Sequence, residues 1–310
     1  MAIATEIVSS FVEPLEQFID QGAGNLASAL EGPLTTGAVL YIVIFGIMIL
    51  LGYVRSPISD FVINVIKISI LVALVTQVSN YNQYVTDLFF TQIPDGLSTA
   101  IGSVSPGAVN PEQIKSGAGF DAIIDRAIIM GEEIASEGSW NDIYPYIVSA
   151  VFTVVALLVA MILLAIYLFA KVASALVLVL GPLFIAMLLF RSTQTLFSSW
   201  LAAVLNFVLL QILTVALLTL LISLINSNIQ SASGQNPGMQ MVYAWRMAGL
   251  FALSLYLGLQ LPEIAARMSG GGLALGGGLS RAAIDGLKKI PGAGGAAARV
   301  GGAITKAGGK

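Results

Sequence analysis

Between Tyr146 and Asn226 the chain runs through about eighty residues of Val, Leu, Ile, Ala and Phe with two charges, Lys171 and Arg191. A membrane-spanning helix takes about 20 mainly apolar residues. The stretch is therefore too long for one crossing, and a soluble core has no use for so much unbroken apolar surface. It requires a bilayer and more than one passage through it. Composition agrees: 57% of the 310 residues are hydrophobic and 10% charged, where soluble domains carry about 25% charged residues. The chain reads as an all-α, polytopic membrane helix bundle.

The flanking segments organise around that stretch. Residues 1–33 carry Glu6, Glu13, Glu16, Asp20 and Glu31 and no Lys or Arg. A secretory signal would begin with positive charge, so this is not one. Ile3, Ile7, Phe11, Leu15 and Phe18 recur at helical spacing, which places them on one side of an amphipathic helix. That face suits the bilayer surface, the rest of the chain or a docking partner. Pro14 is expected to bend the helix, and Gly22, Gly24, Gly32 and Pro33 to loosen it before the first span. A hairpin of two spans occupies 34–79. In the second of them Lys67 shares a helical stripe with Asp60 and Asn64. Lys67 either snorkels to the near interface or, with Asp60 and Asn64, lines a polar pathway.

Residues 80–142 are polar, with nine acidic side chains against Lys115 and Arg126. The second half of this segment carries an apolar stripe through Phe120, Ile123, Ile124, Ala127, Ile128 and Ile134, so it is expected to fold as a small helical subdomain outside the membrane. Residues 143–261 return to the bilayer. The tail, 262–310, carries seven Lys or Arg, two acids and fourteen of the 32 glycines.

Charge sets the orientation, since Lys and Arg flanking short loops mark the cytoplasmic side. Arg55, Lys171, Arg191 and the tail then lie inside, and the N-terminal segment and 80–142 outside. Six spans would put Lys171 or Arg191 on the wrong side. Five satisfy every cluster if Val172–Phe190 is kinked or re-entrant, and Gly181-Pro182 lies in the middle of that block. Proline lacks the N–H that a helix needs there, and irregular backbone at membrane depth must be covered by protein or water. Trp140, Tyr144, Tyr146, Trp200 and Trp245 flank spans and read as interfacial anchors. Arg246, a few residues inside the last span, either snorkels or lines a pore.

The block Gly181–Leu213, GPLFIAMLLFRSTQTLFSSWLAAVLNFVLLQIL, resembles the signature region, here 181–213, of the TrbL-type family of polytopic inner-membrane components of bacterial type IV secretion systems. Gly181, Pro182, Phe184, Phe190, Trp200 and Asn206 carry the likeness. The family pattern has a basic residue soon after the threonine; here Gln194 stands there and the charge is at Arg191. The resemblance implies a bacterial inner-membrane protein with a periplasmic N-terminus, a periplasmic loop at 80–142 and a cytoplasmic C-terminus. It also implies partners: the pilus subunit, the minor pilin, other inner-membrane components and separate cytoplasmic ATPases. Transient DNA or protein substrate, pilus biogenesis and a homo-oligomeric ring, with a pentamer as the first expectation, follow from the same likeness.

The chain holds no His and no Cys, which removes the commonest ligands for a metal. No GxxxxGK[ST] phosphate loop is present either, so neither a cofactor nor a catalytic role is implied. The alternative is a secondary transporter or small-solute channel. Such folds tend to show related halves and charges near the midplane, and no internal repeat is visible between the two-span and three-span parts.

Overall fold

The computed structural model describes residues 3–52, 58–102, 117–136, 143–190, 192–232 and 237–270. Every regular element among them is helical. Helix α1, Ile3–Leu50, runs 48 residues without interruption, about 72 Å at the usual rise. The expected loosening at Gly22 to Pro33 does not occur, and Pro14 and Pro33 both lie inside the helix. The reason is the buried stripe Ala4, Val8, Ile19, Ala23, Ala27, Leu34 and Ala38. Its members lie mostly four or seven apart, and the small ones let the helix lie close on its neighbours. At Gly22 an added Cβ would meet the Val179 side chain at 2.8 Å.

Helix α2, Ile58–Thr76, ends at Gln77, which is extended (φ −99, ψ 99). There the chain bends by 97° into an arm made of α3, Val78–Tyr81, a π-helix, π1, Asn82–Gln92, and α4, Ile93–Gly102. Helix α5 follows at Ala118–Ser136, then α6 at Tyr144–Val179, a short α7 at Gly181–Ala186, a 3-10 turn at Met187–Leu189, α8 at Gln194–Ala232 and α9 at Pro237–Met268.

Ring and side-chain contacts give the register. Phe207 of α8 meets Phe169 of α6 at 6.1 Å, and Trp200 sits at Val177, so α8 runs back along α6. Phe251 of α9 meets Phe152 at 5.7 Å and Gly258 lies on Leu163, so α9 runs parallel to α6. Helix α5 is antiparallel to α6: Phe120 stands 5.8 Å from Tyr167, while Ser149 donates to the Gly131 carbonyl at 2.5 Å. Two cores result. The first joins α5, α6, α8, α9 and the start of α1 around Phe120, Phe152, Leu163, Leu218 and Phe251. The second joins the middle of α1, α2, the arm, the end of α6, α7 and the start of α8 around Tyr81, Phe90, Leu178, Ile185 and Trp200.

Among the described residues four helices are long and apolar enough to cross a bilayer: α1, α6, α8 over Gln194–Asn228, and α9 over Trp245–Met268; the bent pair Phe61–Thr76 and Val78–Ile101 makes a fifth if counted as one. This is the all-α bundle of about five spans. The ambiguous block Val172–Phe190 divides: its first part completes α6, and the rest breaks at Gly181.

The polar segment 80–142 does not fold as one unit. Its first part, the arm, belongs to the second core, and α5 belongs to the first. The members of the second core on the arm, Tyr81, Val85 and Phe90, are spaced by four and five. A helix bonded i→i+5 keeps that spacing on one face, whereas a search at 3.6 residues per turn misses it. On α5 the expected stripe is the buried one, from Phe120 through Ile123, Ile124 and Ala127 to Ile134.

A candidate functional site at the α6–α7 break

A helix gives each carbonyl the N–H four residues on, so the Leu178 carbonyl should receive a proton from residue 182. That residue is proline and has none to give. In its place the Tyr81 hydroxyl donates to the Leu178 carbonyl at 2.5 Å. The carbonyl one step earlier, Val177, receives the Trp200 indole N–H at 2.8 Å. Two side chains from elsewhere in the chain thus supply donors at the point where the helix runs out of them, which buried backbone requires. Gly181 makes room: a Cβ there would collide with the Tyr81 hydroxyl and ring. The glycine and the proline of the signature therefore act together. One removes a bond, and the other admits the hydroxyl that replaces it.

The aromatic residues complete the joint. Phe184 stacks on Trp200 with centroids 6.2 Å apart, and Phe197 lies 5.5 Å from the same ring. Trp200 is 5% exposed. It is a core donor and not the interfacial anchor expected from its place beside a span. Trp245, by contrast, is exposed, and its N–H reaches the Tyr144 hydroxyl at 3.4 Å. Trp140 lies outside the described residues.

A polar stripe continues down α6 from the break. Lys171, 7% exposed, donates to the Phe90 carbonyl of the arm at 3.0 Å and stands 4.5 Å from the centre of the Phe90 ring. It is buried within the bundle, not a charge at a cytoplasmic loop. Ser174 bonds back to the Ala170 carbonyl and receives the Gln211 amide at 2.8 Å. The Gln211 Oε1 and the Asn206 Oδ1 are buried without a hydrogen-bond partner. Asn206, a signature residue, is thus in the core with its side-chain oxygen unpaired.

The remaining candidates are spread out. Phe190 is exposed and lines a shallow apolar cavity of about 190 Å³ with Gly37, Tyr41, Phe45 and Met48 of α1. Arg191 lies outside the described residues. On α2, Lys67 is exposed and Asn64 half-buried, and the side chain of Asp60 lies outside the described residues. Arg246 is exposed on α9. Along α1, Ile3, Phe11 and Phe18 are exposed, whereas Ile7 and Leu15 pack partly against the two cores.

Sequence reasoning missed Asp121. It lies off the apolar stripe of α5, yet its carboxylate is buried and accepts from Ala4 N at 2.8 Å, Thr5 N at 2.9 Å and Thr5 Oγ1 at 2.7 Å. This is the cap that the first turn of α1 needs, supplied from 116 residues away. Nothing local to either segment signals it. Nearby on α5, burial pushes the Arg126 guanidinium below its ordinary value, and its Nη1 has no hydrogen-bond partner. Tyr81 and Lys171 were equally hidden. The clue available was that Pro182 needs an outside donor, with no indication of which.

Comparison with known proteins bears on this joint. Residues 38–261 match the family described as TrbL/VirB6 plasmid conjugal transfer protein. The "Type IV secretion system protein VirB6" of Bartonella quintana is 25% identical over 278 residues, covering 89% of this chain and 82% of the relative. Its namesake in Bartonella henselae is 25% identical over 223 residues, 71% of this chain and 66% of the relative. "Protein VirB6" of Agrobacterium fabrum is 25% identical over 214 residues, 67% of this chain and 65% of the relative.

Proposed function

The chain belongs to the TrbL/VirB6 family of plasmid conjugal transfer proteins, and from that premise we propose that it is a structural, multi-pass inner-membrane component of a type IV secretion system. In this reading it serves pilus assembly and the passage of DNA or protein substrate, beside pilus subunits, a minor pilin and separate ATPases. The observation that carries the reading is the family match over residues 38–261. That range runs from the second half of α1 to the end of the apolar part of α9 and contains the whole break.

The geometry supports a structural role. At the break Tyr81 and Trp200, and further down α6 Lys171, all direct their donors to backbone carbonyls. Such an arrangement holds a bend in place, and it presents no activated nucleophile. The exposed apolar face of α6 supports a ring of copies. It runs from Tyr144 through Ile147, Leu158 and Phe169 to Leu180, about 54 Å at the usual rise, against a hydrocarbon core of about 30 Å. The excess meets tilt, headgroups or a neighbouring copy, and a pentamer is the first stoichiometry to test.

Crosslinking in membranes followed by affinity purification tests the assignment. Recovery of pilus components and a secretion ATPase with the chain is expected. Purification as a lone monomer that supports small-solute flux would replace the reading with a transporter.

A further inference from the structure

We propose that the arm Val78–Gly102 is a displaceable gate seated between α6 and α8, and that the buried ammonium of Lys171 is the latch that holds it to α6. Two polar bonds tie the arm to α6, while α4 packs along α8 and the Asn82 amide donates to Asp20 Oδ1 of α1 at 2.9 Å. Lys171 holds the Phe90 carbonyl, and the Leu178 carbonyl receives Tyr81. Positions 171 and 178 are seven apart and so share one face of α6.

Three features of this part of the second core point to a seat that the arm can leave. The arm leaves α2 through a single extended residue, Gln77, with a bend of 97°, so a rotation there swings it as a body. Eleven of its residues wind as a π-helix, a form usually limited to single turns and concentrated at functional sites. The seat is also imperfectly satisfied. Asn82 Oδ1 on the arm and Gln211 Oε1 on α8 are buried without partners, so the closed state leaves acceptors that an open one can hydrate. Beside the apolar contacts of Tyr81, Val85 and Phe90 in the second core, the arm is tied to α6 by an ammonium on a carbonyl and a hydroxyl on a carbonyl, both strong when dry and replaceable by water. Lifting the arm would uncover the stripe Lys171, Ser174 and Gln211, a wettable surface within an otherwise apolar bundle. The latch is a property of the chain itself, independent of what the secretion reading assigns to pass through it.

Hydrogen–deuterium exchange on the full chain in lipid nanodiscs tests this. Lys171→Met keeps the stem and removes the charge. It is expected to raise exchange in peptides covering 78–102 by about tenfold, the factor that about 1.4 kcal/mol corresponds to, and to leave peptides covering 215–225 of α8 unchanged. Lys171→Arg, which keeps the donor, is expected to stay near wild type. Gly181→Ala attacks the same seat from the α6 side, by driving its Cβ into Tyr81, and is expected to release the same peptides. Unchanged exchange in the arm of both Lys171→Met and Gly181→Ala would overturn the proposal. Exchange that rises equally in the arm and in 215–225 would also overturn it, since the residue would then be holding up the fold and not latching one element.

Discussion

Trp200 shows how much a single side chain can be asked to do here. Its ring is clamped between Phe184 and Phe197, and its N–H satisfies a carbonyl at a broken helix end. The two roles can be separated. Trp200→Phe keeps an aromatic ring in the stack and leaves the Val177 carbonyl without that donor, which should cost about 1–3 kcal/mol. Trp200→Ala loses the ring as well, and large aromatic deletions in cores cost about 3–5 kcal/mol. Thermal unfolding in detergent should therefore rank wild type above Phe and Phe above Ala. Equal midpoints for wild type and Phe would show that the indole N–H is dispensable. Asp121 acts at the same scale. Asp121→Ala removes the acceptor for two backbone donors of α1, and losing a helix cap costs about 0.5–2 kcal/mol. The effect should be local, with faster proteolysis or exchange within residues 3–12 and little change in α8.

At the level of elements, α1 divides its work along its length. Its buried stripe of small residues joins the two cores, while Ile3, Phe11 and Phe18 face outward among acids. No Lys or Arg occurs anywhere in it. An outward apolar row in an acidic helix suits a partner outside the membrane. The double variant Phe11→Ser, Phe18→Ser should leave thermal stability within about 0.5 kcal/mol, as surface changes usually do, and reduce recovery of pilus components in the crosslinking experiment. Undiminished recovery would assign that row to lipid or to nothing. The arm makes the complementary point. Its winding, bend and polar seat all come from what it lies against, since α6 and α8 provide the Lys171 ammonium, the Leu178 carbonyl and the wall of the second core.

For the whole molecule the open quantity is orientation. The basic tail leaves α9 at the end of the bundle where α6 meets α7, which the positive-inside tendency turns toward the cytoplasm. A cysteine at Gly234, in the connection before α9, should then react with an impermeant maleimide applied to intact spheroplasts. Protection until the membrane is permeabilised would invert the bundle. The start of α1 deserves the same probe. Charge assigns it to the outside, yet Asp121 and Phe120 hold it near Tyr167, the end from which the tail also departs. A cysteine at Ser9, exposed on α1, is expected to label from outside. Protection there would place both termini on one side.

The sequence alone determined the solvent. Eighty residues with two charges between Tyr146 and Asn226 admit only a bilayer, and hydrophobic length sets the number of crossings to within one. It also located the break, because proline's missing N–H is a covalent fact that holds in any fold. The α5 stripe was legible for a similar reason: one helix, one period, one buried face. Tertiary structure decided everything that joins distant parts of the chain. That Trp200 lies inside, that Tyr81 replaces the missing donor, that Asp121 caps α1 and that Lys171 grips the arm all depend on pairs separated by 23 to 117 positions. A hydrogen bond records which atoms meet, and a linear pattern records only which faces a segment could offer.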